Sequence, residues 1–89
     1  MEAEVSFGAW LRRRRKTLDL TQEAVAAQVG CSAGLIRKIE ADERRPSRQV
    51  AELLAAVLAI PATERDTFLK VARAQIRTEQ LATISAVPP

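Results

Sequence analysis

Ten of the 14 lysine and arginine side chains fall within residues 1–48: Arg12, Arg13, Arg14, Arg15, Lys16, Arg37, Lys38, Arg44, Arg45 and Arg48. Seven acids accompany them, whereas residues 49–89 carry four charges of each sign. The surplus behind the net charge of +3 therefore lies in the first half of the chain. Such an asymmetry suits a polyanionic partner. A guanidinium fork can bind phosphate or the O6/N7 edge of guanine bidentately, and lysine can reach the same guanine atoms. Other chemistry is poorly supplied. There is no histidine and one cysteine, which disfavours imidazole acid–base catalysis and soft-metal sites. No nucleophile–base pair, paired carboxylate site or phosphate-cradling glycine loop is visible. Neither an enzyme nor a cofactor or metal site is expected.

The cations at Arg37 and Lys38 stand in a patterned stretch, residues 21–41, TQEAVAAQVGCSAGLIRKIEA. Thr21 can cap a helix that opens with Gln22. Ala26 is small enough for two helices to cross closely, and Gly30 can take the left-handed conformation that turns the chain. Ser32 can cap a second helix. Val25, Val29, Cys31, Ile36 and Ile39 then form one inner face, and Ala33, Gly34, Arg37, Lys38 and Ala41 point outward. The stretch reads as a helix-turn-helix. Arg37 and Lys38 point roughly 100° apart, so one can reach base edges and the other the groove wall. Ala33 and Gly34 offer no hydrogen-bonding side chain. Either the backbone comes very close to the bases there, with a methyl reading thymine, or few bases are read directly. Gln22, beside Thr21, can meet a phosphate with its amide and with the backbone N–H groups of the first turn, or simply be solvated. A free Glu40 carboxylate would repel phosphates, which favours an internal pair with a helix-1 arginine, Arg15 foremost, over an ordinary exposed acid. Cys31 reads as a small buried hydrophobe rather than a redox sensor.

Eighty-nine residues, 47% of them apolar and only 3% aromatic, suit one small domain of short helices, without strand-like alternation. Ser6 caps helix 1, which runs to about Leu18 with Phe7, Trp10, Leu11 and Leu18 as its buried stripe. The run Arg12 to Lys16 must spread around that helix. Some of its members solvate, some face the polyanion, and one turns inward; Arg12 and Lys16 are either phosphate ligands or a solvated face. Asp42 to Pro46 forms a loop and Ser47 caps helix 4. Arg44, Arg45 and Arg48 cluster there, able to grip a phosphate or enter a minor groove, with Asp42 and Glu43 partly neutralising them. Helix 4, about Arg48 to Leu58, buries Val50, Leu53, Leu54, Val57 and Leu58. Helix 5 follows Pro61, from about Ala62 to Gln75, with Phe68, Leu69, Ala72 and Ile76 inward. This divides the chain into a domain over residues 1–77 and a flexible tail or linker over 78–89. No run of ~18 apolar residues spans a membrane, and no apolar leader opens the sequence. A cytoplasmic protein is expected.

On these residues, LTQEAVAAQVGCSAGLIRKIEADERRPS resembles the Xre/Cro-type helix-turn-helix domain of bacterial and phage repressors, over roughly residues 6 to 75. The resemblance implies an all-α fold, a compact five-helix bundle of the phage-repressor DNA-binding type. Thr21 and Gln22 match the family's Thr-Gln at the start of helix 2, Gly30 its turn glycine, and Pro46 and Ser47 its Pro-Ser before helix 4. Glu40 and Arg15 stand where the family pairs these residue types. Family base readers fall on Ser32, Ala33, Gly34, Arg37 and Lys38; relatives often carry Gln, Arg, Ser or Thr where this chain has Ala33 and Gly34. The implied function is sequence-specific binding of double-stranded DNA as a bacterial transcription regulator, with helix 3 in the major groove and a homodimer as one arrangement the class uses. RKIEADERRPSRQ looks most like the heads of long bacterial regulators, which would put a sensor or ATPase domain downstream. The alternative is a protein-interaction module that keeps the fold without DNA binding, for which Ala33-Gly34 and the acids Asp42 and Glu43 argue.

Overall fold

The structure, a computed structural model, describes residues 6–73. It contains α1 (Phe7–Thr17), α2 (Gln22–Val29), α3 (Ala33–Glu40), α4 (Arg48–Val57), a single 3-10 turn (Ala62–Glu64) and α5 (Arg65–Ala72). There is no strand among the described residues, and none of their helices is long and apolar enough to cross a membrane. Four helices begin on a hydroxyl side chain. Ser6, Thr21, Ser32 and Ser47 accept the backbone N–H of Ala9, Ala24, Leu35 and Val50 at 2.9–3.2 Å. Each cap is worth about 1 kcal/mol, and each stands where the sequence places it.

Helix ends carry a signal that glycine alone does not reveal. Gly30 takes φ 86° after α2, as expected, but Asp19, Asp42 and Ala59 take φ 63°, 62° and 58° after α1, α3 and α4. Each lets the following N–H reach back to the helix: Leu20 to Arg15 O, Glu43 to Lys38 O, and Ile60 to Ala55 O, at 2.9–3.0 Å. These are Schellman closures built without glycine, which the short side chain of aspartate tolerates better than alanine does. Helix 5 also differs from its expected form. Its first turn is 3-10, and the α-helix proper starts at Arg65; Gln75 and Ile76, like the tail over 78–89, lie outside the described residues.

The core joins Leu11, Val25, Ala26, Val29, Ile36, Ile39, Leu54, Ala55, Leu58, Ile60, Phe68 and Val71. Phe7, Trp10 and Phe68, the chain's three aromatic residues, meet at centroid distances of 5.7–6.4 Å and tie α1 to α5. The inward face of α4 is rotated from expectation. Ala51 and Ala55 are fully buried, while Val50 and Val57 are half-buried and Leu53 is 37% exposed. The reason is proximity: α4 packs against both α2 and α5, and small residues line the close approach. The apolar arc of the sequence is wider than the arc the neighbours cover. On α5, Val71 is buried and Leu69 only half so.

Polar contacts hold helix α1 to α3 and to the end of α4, and they bury two members of the Arg12–Lys16 run rather than one. Arg15 donates from Nε to Glu40 Oε2 at 2.6 Å, from Nη2 to Glu40 Oε1 at 3.1 Å, and from Nη1 to Leu20 O at 2.8 Å. The two side chains are 9% and 4% exposed. The hydrogen bond to Glu40 above all lifts the Arg15 guanidinium above its ordinary value, with burial opposing. Arg14 also turns inward, donating to Leu58 O and Ala59 O at the end of α4 with its guanidinium 6.0 Å from the Trp10 ring centroid. Having carbonyls rather than a carboxylate as partners, it is pushed below its ordinary value by burial. Gly8 lies against the end of α3, where a Cβ would stand 2.6 Å from Ile39 O and nearer still to Glu40 O. Its N–H, one of the unpaired donors of the first turn, is taken by Asp42 Oδ1 at 2.9 Å.

Two stability changes follow from this seam. Glu40→Ala leaves the Arg15 guanidinium buried without its counter-charge, a change costing about 3–5 kcal/mol in comparable pairs. The thermal midpoint followed by circular dichroism should fall by about 12 °C or more for a domain of this size; an unchanged midpoint contradicts the pairing. Gly8→Ala drives a methyl into backbone and should cost at least about 1–3 kcal/mol, read as an earlier urea midpoint at constant slope.

Candidate nucleic-acid interface

The turn at Gly30 lets α3 cross α2 with Val25, Ala26, Val29, Ile36 and Ile39 sealed between them and the core. Since that face of α3 is buried, only the opposite one can meet a ligand. Arg37 and Lys38 lie there, both exposed, and neither is in an ion pair among the described residues. Ser32 is exposed, its oxygen accepting the Leu35 N–H at 3.1 Å and its hydroxyl proton free to be donated outward. Ala33 and Gly34 are half-buried. Ser32 and Gly34 stand at the start of α3 and Arg37 and Lys38 in its last turn, while Ala33, expected to point outward, packs against the core.

A second group gathers where α2 begins. Arg12, Arg15, Leu20, Thr21, Gln22, Glu23 and Arg37 line an open concavity of about 520 Å³. Arg12 is exposed, and the Thr21 oxygen is engaged as the cap of α2. Gln22 stands differently from the phosphate ligand expected of it. Its Nε2 donates to Glu40 Oε1 at 3.0 Å, so the amide is turned partly inward. One remaining N–H of the amide and the first-turn backbone donors are what this end of α2 can offer.

The third group lies in the loop from α3 to α4. Arg44 and Arg45 are exposed and border a groove of about 380 Å³ with Leu35, Pro46, Ser47, Val50 and Arg73. Arg73 was invisible to sequence reasoning, because only the packing of α5 brings it beside a loop some thirty positions earlier. Arg48 is set apart: it pairs with Glu52 at 3.1 Å on the exposed side of its own helix. Such i,i+4 pairs are worth only a few tenths of a kcal/mol, so they yield readily to a phosphate. Asp42 stays exposed and accepts the Gly8 N–H through one of its two carboxylate oxygens. Glu40 spends its charge inward on Arg15. Glu40 is thereby withdrawn from the surface that carries the cations, whereas Asp42 and Glu43 stay exposed at the end of α3.

Cys31, at the turn, is half-buried against the core, and desolvation pushes its thiol upward. It stays protonated at neutral pH, the behaviour of a packing residue rather than a nucleophile. Among the described residues no group of three or more His, Cys, Asp or Glu side chains could hold a metal ion.

These features can be set beside known proteins. A search of the curated proteins gives no match. A model of the helix-turn-helix domain matches residues 6–68, from the cap of α1 to the buried phenylalanine of α5, and so takes in every residue of the three groups except Arg73. With the capped α2, the left-handed Gly30 and the outward cations of α3 inside that match, the chain belongs to the helix-turn-helix domain family, a DNA-binding family of the Xre/Cro-like type.

Proposed function

We propose that the chain binds double-stranded DNA sequence-specifically as a bacterial transcription regulator, with α3 entering the major groove. The observation that carries this reading is the state of Arg37 and Lys38: exposed, adjacent, and unpaired among the described residues on a helix whose other face is sealed. An eight-residue helix is about 12 Å long, and the major groove is about 12 Å wide. Arg37 suits a guanine edge bidentately and Lys38 the same edge or a neighbouring phosphate. Ser32 adds a hydroxyl that either donates to or accepts from a base. Arg12, with Thr21 and the start of α2, would hold the backbone on one side of the groove, and Arg44 and Arg45 on the other, with Arg48 joining if its pair to Glu52 opens. Phosphate contacts of this kind fix register, while base contacts choose sequence. A homodimer would place two copies of α3 one helical turn apart, and a downstream sensor or ATPase domain would supply the signal.

Selection from a random double-stranded library, followed by titration of the enriched duplex across a salt series, tests this directly. The expected result is an enriched motif, with two half-sites about ten base pairs apart if the chain dimerises. Five phosphate-facing cations would give a slope of log K against log salt of about −4 to −5. Arg37→Ala and Lys38→Ala should each lose about 1–3 kcal/mol of discrimination at one base pair with an unchanged thermal midpoint. Retained specificity in both variants removes α3 as the reader. Binding without enrichment leaves a non-specific clamp, and no binding at low salt favours the protein-interaction module.

A further inference from the structure

Two grooves meet at Arg73. The first, of about 380 Å³, is lined by the apolar side chains of Leu35, Pro46 and Val50 and by Arg44, Arg45 and Arg73, together with Ser47. Leu35 and Val50 pack against the core and are half-buried; what the core leaves uncovered lines the groove. No acid lines it, and its three arginines are exposed and in no ion pair among the described residues. Glu43, next to Arg44 in the chain, is exposed but lies outside the lining. The second groove, of about 310 Å³, joins Arg73 to Leu69, Arg48, Lys70 and Asp66. There Arg48 and Lys70 already have partners on their own helices, Glu52 and Asp66. The first groove is thus the one whose charge is unanswered. Guanidinium groups gathered from a loop and a helix end repel one another until an anion joins them. A DNA backbone would meet the charges but gain nothing from the apolar lining, and Arg73 lies beyond the residues that match the helix-turn-helix domain. An acidic polypeptide uses both. The arginine fork takes a carboxylate bidentately, and an apolar side chain gains by leaving water.

We propose that this groove docks an acidic segment of a partner protein, its carboxylates on Arg44, Arg45 and Arg73 and an apolar side chain between them against Leu35, Pro46 and Val50. The volume is that of a small-ligand pocket, which suits one anchoring side chain and the residues on either side of it. Arginine beside apolar side chains is also the composition that protein interfaces favour. The docking does not depend on DNA binding, but its consequence rests on the DNA contacts proposed above. Arg44 and Arg45 serve the DNA backbone there, so an acidic partner and a duplex compete for the same two side chains. The partner would then release the protein from DNA.

The test selects binders of the full chain from a library of random displayed peptides, then measures the enriched peptides by fluorescence anisotropy. Wild type is compared with Arg73→Glu, with Arg45→Glu as a second groove variant, and with Arg13→Glu. The last makes the same change of net charge at an exposed α1 side chain that lines neither groove. The enriched peptides should carry acids on either side of a Leu, Ile, Met or Phe. Their affinity should fall at least about tenfold in both groove variants, where like charges meet, and stay near wild type in Arg13→Glu. Replacing the apolar residue of the peptide by Ala should also weaken binding. Enriched peptides without acids, equal losses in all three variants, or an Ala-substituted peptide as tight as its parent each overturn the proposal, as does a library that enriches nothing. These measurements use no DNA, so a chain that binds no duplex ends the DNA-reading function and leaves the docking result standing. Where a duplex does bind, it should displace the peptide; both bound together would overturn the competition.

Discussion

One carboxylate holds α3 in place. Glu40 accepts from Nε and Nη2 of Arg15 and from Nε2 of Gln22, while the third arm of the Arg15 fork holds Leu20 O in the link before α2. Through this one cluster, the last turn of α1, the entry to α2 and the last residue of α3 are joined. The connection matters because α2 and α3 have eight residues each, too few to persist alone in water. Their hydrophobic contacts supply the driving force but not a unique angle, since apolar packing is non-directional. A bidentate ion pair with its remaining donors satisfied is directional. It also tolerates little alternative, because any arrangement that parts the two groups leaves a charge without its partner away from water.

The seam between α1 and α3 adds a steric condition to the electrostatic one. Gly8 brings two backbones close enough to exclude a Cβ, and the approach places its N–H within reach of Asp42. Aspartate at this point serves two ends together: its left-handed φ of 62° closes α3, and its carboxylate caps the first turn of a different helix. Helix α1 carries no acid in its own first turn, so the favourable charge at its N-terminus comes from across the fold.

The same contacts shape the field that faces outward. With a net charge of only +3, the chain is modestly basic, and an even spread of its acids would leave little potential anywhere. Folding does not spread them evenly. Glu40 is turned to an internal partner, Glu52 and Asp66 to cations on their own helices, and Arg37, Lys38, Arg44 and Arg45 remain unpaired among the described residues. The exposed cations around α3 thus share their surface with the exposed acids Glu23 and Glu43, while Glu40 takes no part in it.

Local features were legible because their causes are local. A hydroxyl before an apolar-periodic run caps a helix whatever surrounds it, and Ser6, Thr21, Ser32 and Ser47 announced four helix starts. Gly30 announced the turn, and the spacing of Val25, Val29, Ile36 and Ile39 announced the face that is buried. The helix-turn-helix assignment followed from these alone, and it holds. What sequence reasoning missed depends on neighbours distant along the chain. Glu40 pointed to Arg15 as its partner, but five cations in a row give no sign that a second is buried, so the burial of Arg14 waited on the position of α4. The close approach of Gly8 to the end of α3 and the bond from its N–H to Asp42 join residues 34 positions apart, and neither stretch alone carries a sign of it. The face of α4 turned inward on its alanines because two helices approach there. The sequence by itself determined where the first four helices begin and that the chain turns at Gly30, since those depend on few neighbours. Only the tertiary structure decided which polar side chains were spent on holding the helices together and which remained for a partner.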